Sequence, residues 1–261
     1  MSTPPPSRQP CWVESDQALP DPAQYAVAAP ADPTSEKSLW PDGLIAAGAD
    51  LSAARLLEAY CKGLFPWYSA GEPVLWWSPD PRMVLKTEQF RLRRSLIKTL
   101  RQWQRAGCYR ITMNRNFERV MAECAAPRPD QNGTWITADV RSAYQVLHHR
   151  QYAHSIEVWR TDQKAAPALI GGLYGVSIGR MFFGESMFAR ERDASKIALA
   201  SLVTLLRTID MPMIDCQQKT GHLSSLGARE IPRVEFLAHI AALLVQKPPD
   251  WSAISIDFPA V

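Results

Sequence analysis

The stretch from residue 154 to residue 189 most strongly constrains the fold, because its apolar residues alternate with a period of two. Three segments alternate in this way with short turns between them, which predicts three consecutive strands joined as hairpins. A helical pattern over 136–151 precedes them, and a buried helix is predicted over 193–209. Helices around a central run of hairpin strands predict an α+β (mixed α/β) fold.

The chain before residue 81 lacks this pattern. Nine of the 21 prolines fall in the first 41 residues, and residues 1–20 show no apolar periodicity, which predicts a flexible Pro-rich tail. Residues 21–80 are predicted to form a small N-terminal domain that contains a helix over 51–62. Residues 81–261 would then form a larger domain that carries the hairpin strands.

Charge is concentrated in one segment. Residues 86–119 hold ten basic and two acidic side chains, a net charge of +8, so the remainder carries −5 of the overall +3. An apolar stripe at helical spacing runs through Leu92, Leu96, Leu100 and Trp103. The basic patch on the opposite face comprises Arg94, Lys98, Arg101 and Arg105. No acid lies three or four residues from these four, so helix ion pairs do not explain them. A solvated face and a phosphate-contacting surface both stay open.

Several classes of site have no sequence support. The odd number of cysteines and the lack of a CxxC pair predict free thiols in a reducing compartment, and a cytoplasmic location. The histidines form no HExxH motif and no Cys/His group, so no metal site is expected. No Walker loop, GxGxxG motif or GxSxG elbow occurs. No apolar run approaches the ~20 residues that span a bilayer, and no membrane partner is expected.

Polar residues interrupt two of the predicted strands. Glu185 lies in the apolar sequence RMFFGESMFA, where a carboxylate is costly unless it is paired or used. Asp215 and Gln217 are two residues apart in PMIDCQ, so an extended strand would direct both to one face. Trp67 and Trp135 stand beside turn residues, where they could stack on bases, frame a pocket or pack over a domain seam. For each of these residues a purely structural role is the alternative.

Several of these residues belong to motifs that occur together in a known family. The motifs include LFPWY (64–68), WWSPDPR (76–82), GTWIT (133–137), FFGESMF (182–188) and IDCQ (214–217). Their identity and order resemble the bacterial leucyl/phenylalanyl-tRNA–protein transferase family from about residue 38 to residue 237.

This resemblance implies an aminoacyltransferase. Such an enzyme moves leucyl, phenylalanyl or, less readily, methionyl groups from aminoacyl-tRNA to the N-terminal Arg or Lys of acceptor proteins, which creates an N-degron for proteolysis. The resemblance also implies a small N-terminal domain followed by a GNAT-like acyltransferase domain, and no metal or other cofactor. A cytoplasmic monomer is expected.

The resemblance also implies where the aminoacyl end of the tRNA binds. Trp67 and Trp135 would hold the 3′ adenosine. Phe183, Met187 and Phe188 would line the pocket for the amino-acid side chain. The basic patch would contact the tRNA backbone without reading sequence.

Three polar residues are implied for catalysis. Glu185 would order the site near the aminoacyl ester, and Asp215 and Gln217 would polarise and orient the attacking α-amine. General-base catalysis by this pair and catalysis by positioning both stay open. In addition, Asp193 stands where the family often has Asn, and is expected to cap the helix that follows it.

Two alternatives compete with this interpretation. A GNAT acetyltransferase would use acetyl-CoA, and it normally has a Gly-containing pyrophosphate loop; the corresponding segment RERDASK (190–196) contains no glycine. A non-catalytic tRNA-binding module would explain the basic patch, but would leave Glu185, Asp215 and Gln217 without a role.

Overall fold

The computed structural model describes residues 9–25, 40–127, 133–161 and 166–259. The strands β1–β11 are, in chain order, Cys11–Val13, Leu44–Gly48, Phe65–Pro66, Leu75–Trp77, Arg82–Lys86, Tyr109–Met113, Ala153–Arg160, Ala168–Ile178, Met181–Ala189, Met213–Gln217 and Arg229–Ile231. The helices α1–α7 are Ala53–Cys61, Arg94–Ala106, Phe117–Ala125, Ala138–His149, Ala194–Thr208, Gly221–Ser225 and Arg233–Leu244.

The larger of two sheets has seven strands in the order β11-β5-β10-β9-β8-β7-β6. Only the central pair β9–β10 is parallel among its described pairs; the others are antiparallel. The three predicted hairpin strands are β7, β8 and β9, and they lie side by side. The mixed α/β prediction is therefore confirmed, while the finer GNAT-like assignment stays a prediction.

Helices cover both faces of this sheet. Helices α2 and α5 pack on one face, where Leu96, Leu100 and Trp103 of the predicted apolar stripe are buried. Leu92 lies before the first residue of α2 and is only partly buried. Helices α1, α3, α4 and α7 pack on the other face. The stripe thus fixes α2 against the sheet and directs its basic face outward.

The smaller sheet has four strands in the order β1-β2-β4-β3. Strand β1 pairs with β2 in parallel, and Val13 and Leu19 are buried. The prediction of a flexible tail over residues 1–20 is therefore wrong for residues 9–20, because these two side chains join the core. Residues 1–8 lie outside the described ranges.

The two sheets share one hydrophobic core. Side chains of β2 and β4 belong to the same buried cluster as residues of α3, α4 and α7. Helix α1 begins after Ser52, whose hydroxyl accepts the N–H of Arg55 at 3.2 Å, and it packs against α4 and α7. All strands of the small sheet precede residue 80, but a division into domains there stays a prediction.

Helix α5 begins without the predicted side-chain cap. Asp193 occupies the N-cap position with a φ of 66° and makes no capping hydrogen bond. Its carboxylate instead accepts from the Lys196 ammonium at 2.7 Å and from the Thr99 hydroxyl at 3.3 Å. The expected cap is thus replaced by a contact that ties the start of α5 to helix α2.

Candidate active site

One cavity of about 730 Å³ lies between the loop after β3 and the β9–β10 part of the large sheet. Among the residues predicted for the site, its wall includes Trp67, Trp135, Glu185, Met187, Phe188, Asp215 and Gln217. The structure therefore brings together residues that are up to 150 positions apart in the sequence.

Trp67 stands at the rim with 43% of its surface exposed. Its backbone N–H donates to the Leu75 carbonyl at 3.0 Å, and its own carbonyl accepts from the Trp77 indole at 2.7 Å. The indole of Trp67 lies 5.6 Å from that of Trp77, ring centre to ring centre. Backbone bonds thus hold Trp67, and its ring stays available to a ligand.

Trp135 reaches the same cavity from the segment before α4. It is partly buried, and its carbonyl accepts the N–H of Thr137 at 2.9 Å. The Thr137 hydroxyl in turn accepts the N–H of Val140 at 3.3 Å, which caps helix α4. The helix start therefore sets the position of Trp135.

Glu185 lies at a bulge in strand β9. The β8–β9 register shifts where Tyr174 pairs with Ser186 and Gly175 pairs with Gly184, so Glu185 has no partner on β8. A side chain on Gly175 would meet the Phe183 carbonyl at 2.3 Å, so glycine is required there. The bulge gives the carboxyl group its access to the cavity.

Two tyrosines bind the carboxyl group of Glu185. Tyr60 donates to Oε1 at 2.7 Å and Tyr144 donates to Oε2 at 3.0 Å. Burial raises the pKa of Glu185 to about 7, although these two hydroxyls and the Arg82 charge oppose the shift. Burial also raises the pKa of both tyrosines well above 10, so both stay protonated.

The proton count in this network favours a protonated Glu185. The hydroxyls of Tyr60 and Tyr144 also contact each other. The three side chains make three oxygen–oxygen contacts, and each contact needs one proton. The two tyrosine hydroxyls supply two protons, so the third comes from a protonated Glu185 carboxyl group. The hydrogen-bond geometry and the raised pKa of Glu185 therefore both favour a protonated carboxyl group.

Asp215 is fully buried and paired with Arg82, whose side chain is also fully buried. Nε and Nη2 of Arg82 donate to the two carboxylate oxygens at 2.8 and 2.7 Å. A third donor of the guanidinium, Nη1, reaches the Gly63 carbonyl at 3.1 Å. Both oxygens of Asp215 thus accept hydrogen bonds from one cation.

Gln217 does not continue an extended strand. The β10–β5 register shifts between Asp215 and Gln217, and Gln217 has a φ of 55°. The argument that alternation places both side chains on one face is therefore wrong. Their link is a backbone contact, in which the Gln217 N–H donates to Asp215 Oδ1 at 3.0 Å. The side-chain Nε2 of Gln217 is buried and has no hydrogen-bond partner among the described residues.

Phe183 does not line the cavity. Its ring is fully buried on the opposite face of β9, with its centre 4.9 Å from that of Tyr60. The neighbouring Phe182 contributes to the cavity wall instead. The reason is alternation along the strand, which directs consecutive side chains to opposite faces.

Sequence reasoning missed four residues of the site. Arg82 stands in the motif WWSPDPR, but no spacing rule pairs it with a carboxylate 133 positions away. Tyr60 and Tyr144 lie on the buried faces of their helices, where the sequence indicates ordinary core residues. His222 lines the cavity, and burial lowers its pKa. Its Nε2 is buried and has no partner in the described part of the chain.

The basic patch lies outside the cavity, on the exposed face of α2. In the described part of the chain, none of its four residues forms an ion pair with a carboxylate. The Thr99–Asp193 contact connects α2 to the start of α5, whose Ser195 reaches the cavity wall. The patch and the cavity are therefore joined through rigid elements.

Two further features bear on the class of protein. Within the described ranges, no group of three or more His, Cys, Asp or Glu side chains is arranged to hold a metal ion. No helix in those ranges has the length and apolar character needed to cross a membrane.

Comparison with known proteins gives one consistent family. Residues 84–241 match the family described as leucyl/phenylalanyl-tRNA protein transferase, and residues 49–80 match its N-terminal domain. The leucyl/phenylalanyl-tRNA–protein transferase of Paraburkholderia phymatum is 50% identical over 242 residues, covering 92% of this chain and 93% of its own. The one from Bordetella petrii is 49% identical over 251 residues, covering 94% and 92%. This chain belongs to the leucyl/phenylalanyl-tRNA–protein transferase family.

Proposed function

We propose that this chain transfers a leucyl or phenylalanyl group from aminoacyl-tRNA to the N-terminal Arg or Lys of an acceptor protein, with methionyl as a poorer donor. The product would carry an N-degron that marks it for proteolysis. The observation that carries the proposal is the cavity, in which Trp67 and Trp135 face Glu185 and Gln217 in a chain of this family.

The donor would bind with its 3′ adenosine against Trp67 and Trp135. Trp67 is exposed and its backbone is fixed by hydrogen bonds, so its indole is suited to stacking on a base. The apolar wall formed by Phe182, Met187 and Phe188 would hold the leucyl or phenylalanyl side chain. This wall supports selection by size and apolarity, with each methylene worth ~1–3 kcal/mol.

The reaction needs little chemical activation. The aminoacyl ester is already activated, so its aminolysis requires no ATP, only an unprotonated amine held next to the carbonyl carbon. Such positioning can lower a barrier by ~7–11 kcal/mol. The buried Arg82–Asp215 pair supports positioning over base catalysis by Asp215, because both carboxylate oxygens already bind a cation.

The basic patch would contact phosphates of the tRNA. Four exposed cations without carboxylate partners in the described part of the chain support this role. The enzyme would act as a monomer. The donor, aminoacyl-tRNA, supports a cytoplasmic site of action.

A transfer assay tests the proposal. Purified protein, Leu-tRNA labelled in the leucyl group and two peptides that differ only in an N-terminal Arg or Ala are mixed without ATP or acetyl-CoA. We expect label on the Arg peptide and none on the Ala peptide. If the protein binds tRNA and labels neither peptide, it is a binding module and the proposal is wrong.

A further inference from the structure

We propose that Arg82 is a positioning residue for the transfer reaction. Through Asp215 it holds the backbone of Gln217 in the conformation that presents the Gln217 amide to the cavity. The inference rests on the proposed function, because Gln217 acts on substrates only if the cavity is the site of transfer.

Hydrogen bonds and two aromatic rings fix the side chain of Arg82. Its side chain is fully buried, and three of its donors are used by Asp215 and the Gly63 carbonyl. Its guanidinium carbon lies 4.8 Å from the ring centre of Phe65 and 4.5 Å from that of Phe236. A planar cation between two aromatic faces has one preferred orientation, so it presents a fixed fork to the carboxylate.

Asp215 links Arg82 to the backbone of Gln217. Its Oδ1, which accepts from Arg82 Nε, also accepts the backbone N–H of Gln217. Gln217 is a non-glycine residue in the left-handed region, a conformation that persists only where surrounding contacts enforce it. The Asp215 carboxylate is the contact that does so here.

The amide of Gln217 is what this arrangement positions. Its Nε2 is buried next to the cavity and has no partner in the described structure. Buried donors are normally satisfied, so an unpartnered one in a cavity wall indicates a group that a ligand completes. A carbonyl oxygen of the bound aminoacyl ester has the required acceptor chemistry.

Arg82 also reaches the donor side of the cavity. Gly63, whose carbonyl it binds, and Phe65, on which it stacks, immediately precede Trp67 in the chain. One side chain therefore contacts both the segment that carries Trp67 and the carboxylate that orders Gln217.

A double-mutant cycle tests the proposal. The variants are Arg82→Gln, Asp215→Asn and the double variant, with kcat and KM measured for Leu-tRNA and the Arg peptide below each variant's unfolding temperature. We expect each single change to lower kcat about 100-fold, as misplacement of reacting groups does, with a smaller change in KM. Since Arg82 acts through Asp215, the double variant should lose no more than Asp215→Asn alone. Losses that multiply in the double variant would overturn the proposal.

Arg233→Gln is the matched control. Arg233 is likewise a buried arginine, but it donates to the carbonyls of Ser78 and Tyr25 and does not contact Asp215. We expect this variant to lower the unfolding temperature and keep the wild-type kcat. An equal loss of kcat in Arg233→Gln would show that general destabilisation explains the Arg82 effect, and would contradict a positioning role.

Arg82→Lys keeps the test informative if Arg82→Gln does not fold. Lys keeps the charge but loses the two-pronged contact, so kcat should fall while the acidic limb of the kcat–pH profile stays where it is in the wild type. If the acidic limb of the kcat–pH profile moved to higher pH, Arg82 would act by changing the basicity of Asp215. That result would contradict the proposal. Failure of the wild type itself to transfer leucine would refute the proposed function instead.

Discussion

The fold changes the chemistry of Glu185 at the candidate site. The residue is partly buried, its carboxyl group accepts from Tyr60 and Tyr144, and its pKa is raised to about 7. Burial is the main cause, and the negative charge of Asp215 adds to it. At neutral pH a substantial fraction of Glu185 is therefore protonated.

Glu185→Gln should change how stability depends on pH. The folded pKa of about 7 lies above the ordinary value of 4.5, so the contribution of Glu185 to stability is complete below pH 4.5 and is lost as pH rises through 7. Gln does not titrate. The unfolding temperature of Glu185→Gln minus that of the wild type should therefore increase between these pH values and level off above them. A difference that is constant across this range would contradict the raised pKa.

Gly184→Ala should shift the choice of donor. Gly184 lines the cavity, and an added methyl group would meet the Asp215 carbonyl oxygen and Ile214 at 3.4 Å, an ordinary contact. The variant should fold but have a smaller cavity. We expect kcat/KM for Phe-tRNA to fall about 10-fold more than for Leu-tRNA. Gly221→Ala, which adds a methyl group in open space, is the control and should leave this ratio unchanged. An unchanged ratio in Gly184→Ala would remove this part of the wall from the side-chain pocket.

For individual residues, the sequence identified the residue types of the site better than their environments. It indicated Glu185, Asp215 and Gln217 because polar residues in apolar strands are conspicuous. It misplaced Phe183, because the face of a strand depends on which neighbours pack against it. Arg82 could not be predicted as the partner of Asp215, since the contact joins strands far apart in the chain.

Under the proposed function, helix α2 would separate binding of the tRNA body from the chemistry in the cavity. Its apolar stripe is buried against the sheet, and the basic patch is exposed on its other face. The elements with a long, regular period were predicted well: α2, α5 and the hairpin strands β7–β9. The strands of the small sheet were missed because they are two to five residues long and owe their pairing to tertiary contacts.

Removing two charges of the basic patch should weaken tRNA binding. Arg94→Ala combined with Lys98→Ala should raise KM for Leu-tRNA and make it less dependent on salt. Each lost phosphate contact lowers the slope of log K against log salt by about 0.7–0.9. Arg150→Ala with Lys247→Ala removes two exposed charges elsewhere and should leave the slope unchanged. A wild-type slope in the patch variant would exclude the patch from tRNA binding.

At the scale of the whole molecule, the site exists because two sheets share one core. Trp67 comes from the small sheet, Glu185 and Gln217 come from the large one, and Arg82 contacts both sides. The sequence motifs indicated which residues belong together, but not the bulges at Glu185 and Gln217 that orient them. Bulges depend on register between strands, which no local pattern encodes.

We expect the cavity to bind the aminoacyl-adenosine end of the donor and the basic patch to bind only the tRNA body. The direct measurement is kcat/KM for Arg-peptide aminoacylation with two donors, Leu-tRNA and adenosine esterified with leucine. Trp67→Ala, whose backbone contacts are retained, should lose about 10- to 100-fold with both donors. Arg94→Ala with Lys98→Ala should lose activity with Leu-tRNA and keep the wild-type value with leucyl-adenosine. An equal loss with both donors in the patch variant, or an undiminished Trp67→Ala, would contradict the account.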